Sequence, residues 1–311
     1  MLFLADARYR AQAESEAPEC RIVVHTGPFA DAIAEACRPG ARVGFEASQV
    51  SVRMFDEWRA RLQQHQFVAA DGVVETLRIV KEAKEVQTLR QVAHMAGQAL
   101  ADVLSHFTLG TTERQLANAL GHAMQERGLD GLGFPTLVAS GPRAALPHAH
   151  PTDKPIQEGE LVLIDYGGML AGYRSDETVT VGIGAVDPGL REIYGIVREA
   201  QAAGIAAAQP GARTSEVDRA AREVIQASPY RDWCFPYAVG HGVGLDIHED
   251  PRAAKEGSGR VDHELKPGMT MTVEPGIYVL GLAGVRLEDT LLITEDGNEK
   301  LTVTPKAYRA L

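Results

Sequence analysis

The sequence predicts an α+β protein in two parts, a small N-terminal α/β domain over residues 1–72 and a larger domain over residues 73–311. Three observations lead there. A chain of 311 residues is long enough for about two domains, each with its own core. Residues 1–70 alternate short β-branched runs with helical segments. From about residue 80 the order changes to two helices followed by strands, and that order occurs twice.

In the first part, Ile22–His25 is a β-branched run closed by Gly27-Pro28, and Ala30 to Cys37 suits a helix stopped by Arg38-Pro39-Gly40. Val43–Glu46 predicts another strand. Val52–Gln63 predicts a helix, with Phe55, Trp58, Arg59 and Leu62 near helical spacing. Asp71-Gly72 is a turn signal and marks the boundary. The opening Met1-Leu2-Phe3-Leu4 meets Asp6 and Arg8 at once, too short an apolar run for a signal peptide, with no charged region before it.

The longest helical pattern of the chain follows. Leu89, Ala93, Ala96, Leu100, Val103 and Phe107 form one apolar stripe, which needs a large partner surface. Gly110 ends it. Thr112-x-x-Gln115 is a capping box that opens a second helix, with Leu116, Leu120 and Met124 on one side. Leu161–Ile164, bounded by Gly159 and Gly167, reads as a strand, and Thr178–Val181 returns beside it as a hairpin. Ile193–Ala208 predicts a helix. Thr214 or Ser215 caps the next one, which turns Val217, Ala221 and Val224 inward. Residues 270–274 and 285–294 are strand-like again.

The second set of elements echoes the first. Ile156–Gly167 aligns with Leu265–Gly276, both glycines match, and an acid, Asp165 or Glu274, ends each strand at the same place. Gly110 and Leu116 correspond to Gly211 and Val217. Residues 80–300 therefore read as two structural repeats about a pseudo-two-fold axis.

Composition excludes several function classes. Apolar residues make up 45% and charged residues 23%, an ordinary globular balance. With 31 Lys+Arg against 42 Asp+Glu the net charge is -11, which repels phosphate backbones, so nucleic acid is not an expected partner. No run approaches the ~18 to 20 apolar residues of a membrane helix, so no membrane association is expected. Cys20, Cys37 and Cys234 lack C-x-x-C spacing, which suits reduced thiols in a cytoplasmic protein rather than a disulfide framework or thiolate zinc site.

The acids carry the chemistry. Asp165 and Glu274 end equivalent strands, Asp176 precedes the returning strand, and Glu288 lies on the next strand-like segment of the second half. Each alone reads as a turn residue or surface charge, and Glu288-Asp289 after Arg286 also reads as an exposed ion-pair cluster. Together they bring two carboxylates from each half to the axis. Clustered carboxylates raise one another's pKa values, and a multivalent cation relieves the repulsion. His241, in Gly240-His241-Gly242-Val243-Gly244, adds an imidazole whose flanking glycines permit close backbone approach and unusual φ/ψ angles. Four carboxylates and one imidazole suit two divalent ions such as Mn²⁺, Co²⁺, Fe²⁺ or Zn²⁺. His148, after Leu146-Pro147, and His248, in Ile247–Pro251, are either satisfied loop histidines or donors to a developing oxyanion. His122, His150 and His263 read as surface residues.

These motifs match a known family. Leu146-Pro147-His148, Leu163–Gly167, Ser175-Asp176, Gly240–Glu249, Glu274–Tyr278 and Val285–Asp289 resemble the metal-dependent peptidases of the pita-bread fold. That group includes methionine aminopeptidases, Xaa-Pro aminopeptidases and Xaa-Pro dipeptidases (prolidases). The preceding domain, Glu274–Tyr278 and Arg286-x-Glu288-Asp289 look most like the Xaa-Pro branch. The resemblance implies a pita-bread catalytic domain behind a shortened creatinase-like N-terminal domain. It implies that Asp165, Asp176, His241, Glu274 and Glu288 hold two metal ions per subunit, with Asp176 and Glu288 bridging, and with Mn²⁺ preferred over Co²⁺, Zn²⁺ or Fe²⁺. It further implies that Glu274 passes a proton from the attacking water to the leaving proline nitrogen, that His248 stabilises the tetrahedral oxyanion, and that His148 positions the substrate. Arg252 is similar to an arginine that prolidases use for the substrate carboxylate, or is an exposed loop arginine.

The implied activity is Xaa-Pro dipeptide hydrolysis on a small peptide with proline at its second position. The alternatives are an Xaa-Pro aminopeptidase acting on longer peptides, a methionine aminopeptidase, or a non-catalytic peptide-binding module. There are departures. Val179 stands where relatives often carry an arginine and Arg143 where asparagine is common, which bears on substrate preference. Leu4–Ala13 looks like a segment that relatives reach only after some tens of residues. The sheet edge this leaves calls for a partner subunit, so a homodimer is expected.

Overall fold

The computed structural model describes the whole chain, Met1–Leu311. Its contacts divide it into two units, Met1–Thr76 and Leu77–Leu311. In the smaller unit β1 (Leu2–Asp6), α1 (Arg10–Glu16), β2 (Arg21–His25), α2 (Phe29–Ala36), β3 (Arg42–Phe45), α3 (Val52–Arg61) and β4 (Gln66–Ala69) alternate. β1 runs parallel to β2, and β3 parallel to β4, each pair bridged by a helical crossover. Ser51 caps α3 by accepting from the Met54 N–H, and Trp58 and Leu62 bury against Ala30 and Phe67. β1 and β4 were not anticipated. Each is a short apolar run with no strand signal of its own, and only pairing with its neighbour makes it a strand.

The chain continues through α4 (Val73–Arg78) into the first half of the larger unit. This comprises α5 (Ala83–Ser105), α6 (Glu113–Glu126), β5 (Gly131–Leu132), β6 (Leu137–Ser140), β7 (Leu161–Tyr166), β8 (Gly168–Leu170), β9 (Tyr173–Arg174) and β10 (Glu177–Gly182). Leu89, Ala93, Ala96 and Leu100 of the α5 stripe are buried; the helix stops at Ser105, so Phe107 and Gly110 lie in the turn beyond it. The capping box forms, with Thr112 Oγ1 accepting from Gln115 N at 3.2 Å and Gln115 Oε1 accepting from Thr112 N at 2.9 Å. β7 is antiparallel to both β6 and β10, with Asp165 opposite Leu137 and Thr178. Its unbroken aliphatic run feeds two cores. Val162 and Ile164 pack with α5 and α6, while Leu161 and Leu163 pack with residues of the second half.

The second half comprises α7 (Pro188–Ala207), α8 (Thr214–Gln226), β11 (Gly240–Gly242), β12 (Glu249–Ala253), β13 (Thr270–Val273), β14 (Gly276–Val279), β15 (Ala283–Arg286), β16 (Asp289–Ile293) and β17 (Asn298–Lys300). Three expectations are corrected here. α7 starts earlier than Ile193, because Asp187 caps it by accepting from Gly189 N at 2.7 Å. Neither Thr214 nor Ser215 caps α8. Asp262 does so from a distant loop, accepting from Ser215 N at 2.9 Å and from the Thr214 and Ser215 hydroxyls at 3.1 and 2.9 Å. Residues 285–294 are two strands. β15 pairs with β14 and β16 with β13, and Glu288 sits in the break, its N–H donating to Thr178 O at 3.0 Å.

The repeat recurs in the backbone hydrogen bonds. Gly110 N donates to Ile156 O at 3.3 Å and Gly211 N to Leu265 O at 2.8 Å. Ile156 N returns to Thr111 O at 3.0 Å and Leu265 N to Ala212 O at 2.8 Å. Glu113 N donates to Lys154 O and Thr214 N to His263 O. Gly159 and Gly268, matched in sequence, share φ values of +86° and +88°.

Candidate metal centre

A cavity of about 660 Å³ in the larger unit is lined by Asp165, Asp176, His241, Glu274 and Glu288 together. Asp165 comes from the end of β7 and Asp176 from the residue before β10. His241 is the middle residue of β11, Glu274 follows β13, and Glu288 precedes β16. Donor atoms of Asp176, His241 and Glu288 lie within 4.8 Å of one another. His241 Nε2 is 3.3 Å from Glu274 Oε1 and 3.6 Å from Asp176 Oδ2.

Close packing sets the histidine. A Cβ on Gly240 would lie 1.9 Å from Thr272 O, and one on Gly242 would lie 2.3 Å from Asp250 O. Neither glycine has a positive φ, so the glycines serve close approach rather than unusual dihedrals. The His241 N–H donates to Thr272 Oγ1, and Nδ1 lies 3.0 Å from Gly242 O. With the proton on Nδ1, bonded to that carbonyl, the Nε2 lone pair faces the carboxylates, the arrangement of a ligating imidazole.

Electrostatics agree. Burial, and then Glu288, Asp165 and Glu274, hold the Asp176 carboxyl far above its usual range. Burial and Glu274 raise Glu288 strongly as well. Burial pushes Glu274 up to about 8, against the opposing pull of Arg286. Burial also lowers His241 to about 4. Asp165 Oδ1 and Glu288 Oε1 are buried without any hydrogen-bond partner. Two orphaned carboxylate oxygens, a deprotonated imidazole nitrogen and clustered acids, with no cysteine in the lining, fit hard or borderline divalent ions.

The remaining predicted residues lie around this cluster. The His248 ring stands 4.3 Å from that of His241, nearly perpendicular to it. Burial, then His241 and Arg252, lower its pKa to about 4, so it is neutral at physiological pH. His148 is exposed and lines the same cavity, as does Arg252 on β12. His150 lines it too, which corrects its reading as a surface residue alone. His122 is exposed and pairs with Glu126, and His263 is half-buried beside Asp250. Neither Val179 nor Arg143 reaches the cavity. Val179 is buried in β10, and Arg143 pairs with Glu113 at 3.0 Å.

Arg286 was missed as a site residue. It is 2% exposed, and Glu288 and Asp289 are each 1% exposed, which rules out an exposed ion-pair cluster. Its guanidinium donates to Asp165 Oδ2 at 2.5 Å, Tyr278 Oη at 2.9 Å, Thr178 Oγ1 at 3.2 Å and Pro147 O at 3.1 Å. Thr178 Oγ1 donates in turn to Glu288 Oε2 at 2.7 Å. An arginine inside the apolar run Ala283–Leu287 was the available signal, since a buried charge demands partners. Tyr237 was also missed. It lines the cavity and hydrogen-bonds the Tyr278 hydroxyl.

Residues 87–295 match the model of metallopeptidase family M24, and residues 1–80 match the creatinase/prolidase N-terminal domain. The Xaa-Pro dipeptidase of Pyrococcus furiosus is 38% identical over 306 residues, covering 98% of this chain and 85% of that protein. Among solved structures, an Xaa-Pro dipeptidase from Bacillus anthracis superposes with a TM-score of 0.94 at 36% identity, covering 100% of this chain and 86% of that one. An X-Pro aminopeptidase from Thermotoga maritima superposes with a TM-score of 0.88 at 30% identity, covering 100% and 87%.

Proposed function

Since the chain belongs to metallopeptidase family M24, we propose that it is a dinuclear Xaa-Pro dipeptidase that hydrolyses the bond before proline in dipeptides. The observation that carries this reading is the gathering of five metal-type donors on one cavity with Arg252 in its wall. Asp165, Asp176, His241, Glu274 and Glu288 would hold two divalent ions, Mn²⁺ first among them. When bound, such ions polarise a scissile carbonyl and lower the pKa of an attacking water towards ~7.

The chain's own groups do the rest. A Glu274 carboxylate oxygen accepts the water's proton and delivers it to the departing proline nitrogen. Neutral His248 donates a ring N–H to the tetrahedral oxyanion. His148 positions the substrate, and the Arg252 fork takes the proline carboxylate. Arg286 keeps Asp165 aimed into the site. Lys255, Ser258 and Arg260 also line the cavity, and this favours the second reading, an Xaa-Pro aminopeptidase whose substrates extend past proline. The free thiols Cys20, Cys37 and Cys234 support a cytoplasmic location. β1 pairs on one side only, with Leu2 and Phe3 exposed, which supports a homodimer.

One preparation tests this reading. Protein purified without added metal is examined by metal analysis and light scattering, then assayed with Mn²⁺ on Xaa-Pro and Xaa-Pro-Xaa peptides. We expect a dimer at micromolar concentration that cleaves the dipeptide faster. Faster cleavage of the longer peptide selects the aminopeptidase, a monomer removes the dimer, and inactivity on both peptides overturns the reading.

A further inference from the structure

Behind the metal centre lies a second buried polar cluster that the chemistry above does not use. Successive residues of a strand point to opposite faces, and three of the candidate ligands are followed by polar residues that meet one another. Tyr166 follows Asp165, Glu177 follows Asp176, and Asp289 follows Glu288. Tyr166 Oη donates to Glu177 Oε2 at 2.7 Å. Glu177 is 2% exposed and Asp289 1%.

One ammonium joins the two acids. Lys306 Nζ, from the C-terminal segment, pairs with Glu177 Oε1 and lies 3.3 Å from Asp289 Oδ1. Burial would strip its proton, but Glu177 and Asp289 outweigh that and raise its pKa. The same segment adds Thr304, whose N–H donates to Glu177 Oε1 at 3.1 Å, and Thr302, whose hydroxyl donates to Asp289 Oδ1 at 2.7 Å. Gly97 of α5 admits this segment, for a Cβ there would lie 2.6 Å from Val303.

We propose that Lys306 is a positioning residue for the metal centre: by pairing with both Glu177 and Asp289 it sets the distance between Asp176, before β10, and Glu288, before β16. Those two ligands come from different halves and different sheets. Without the ammonium, Asp289 keeps Lys300 Nζ at 2.6 Å, but Glu177, the residue after Asp176, becomes a buried carboxylate with no counter-charge, and its relaxation shifts the start of β10 relative to that of β16. A metal site tolerates only about 0.5 Å of such displacement. The inference rests on Asp176 and Glu288 being ligands.

The test titrates metal-free full-length protein with Mn²⁺ by calorimetry and records the thermal midpoint of each metal-free form. Lys306→Met is expected to raise the Mn²⁺ dissociation constant about 10- to 100-fold, the usual effect of losing a group that orients a ligand. Lys306→Arg, which keeps the charge, is expected to restore most of the affinity. A purely structural lysine would lower the midpoint and leave Mn²⁺ affinity unchanged, and that result overturns the proposal. If Lys306→Met does not fold, Lys306→Gln, which removes the charge but keeps a donor, is read the same way: weaker Mn²⁺ binding supports the proposal, and unchanged binding overturns it. Wild-type protein that binds no Mn²⁺ removes the metal reading and this inference with it, whereas normal wild-type binding matched by Lys306→Met removes this inference alone.

Discussion

In the first half of the larger unit, α6 begins with the buried Glu113, whose carboxylate accepts from Thr152 and Ser140 and pairs with Arg143. In the second half the equivalent tie runs the other way, because the carboxylate is Asp262 on the loop and the donors, Thr214 and Ser215, are on the helix. The backbone bond to the first residue of each helix recurs, Glu113 N to Lys154 O and Thr214 N to His263 O, while the next amide donates to Thr152 O in the first half and to the Asp262 side chain in the second. Main-chain geometry was kept between the halves, and side chains were free to exchange places as long as each pair stayed complementary. The same freedom divides the cavity wall unequally. The first half lends it Asp165, Asp176 and His148, and the second lends it His241, Glu274, Glu288, His248 and Arg252.

If the centre is shared as this division implies, losing a donor from either half disables it equally. Asp176→Asn and His241→Ala are each expected to lower kcat/KM about 10³-fold, equivalent to roughly 4 kcal/mol of transition-state stabilisation. Circular dichroism checks that both remain folded. A variant of one half that kept near-normal turnover would break the comparison.

A smaller effect concerns metal-free protein. Glu274 is held up to about 8, against ~4.3 in an unfolded chain. Between those values the folded state keeps a proton that the unfolded state has lost, so the stability this group contributes is full at low pH and disappears as pH rises through about 8. Each such proton steepens the fall by at most ~1.4 kcal/mol per pH unit. Denaturant melts from pH 5 to 8 should show the decline, and Glu274→Gln should flatten it. A flat wild-type profile would mean that burial does not hold a proton on Glu274 in the metal-free fold.

The smallest effect sharpens the exchange of carboxylates. Glu113→Gln should cost about 2 kcal/mol, because it weakens charge-assisted bonds at a fully buried group. The partly exposed Asp262→Asn should cost less than about 1 kcal/mol. Equal losses by chemical denaturation would mean that burial does not distinguish the two ties.

Much of this was legible locally. The α5 stripe, the Thr112–Gln115 capping box and the acid-terminated strands of the repeat each depend on residues a few positions apart, and they formed as expected except that α5 ends at Ser105, before Phe107. The acids were legible because they sit at matched ends of matched strands. What escaped depends on partners far along the chain. Asp262 reaches α8 from 47 positions away, and Arg286 meets Asp165 across 121. The break at Leu287-Glu288 is invisible in a stretch that reads as one strand-like segment, because it exists only where β15 and β16 choose different partners.

The placement of donors on both sides of the short connection before α7 has a consequence for the chain as a whole. Ala185 and Asp187 are the exposed residues of that connection, which lies between Asp176 and His241 in the chain. A protease nick at that point would leave two fragments, each with part of the ligand set and an unrelieved patch of negative charge. Neither piece alone could turn over a peptide, so any hydrolysis recovered from a nicked sample would count the fragments that had found each other again.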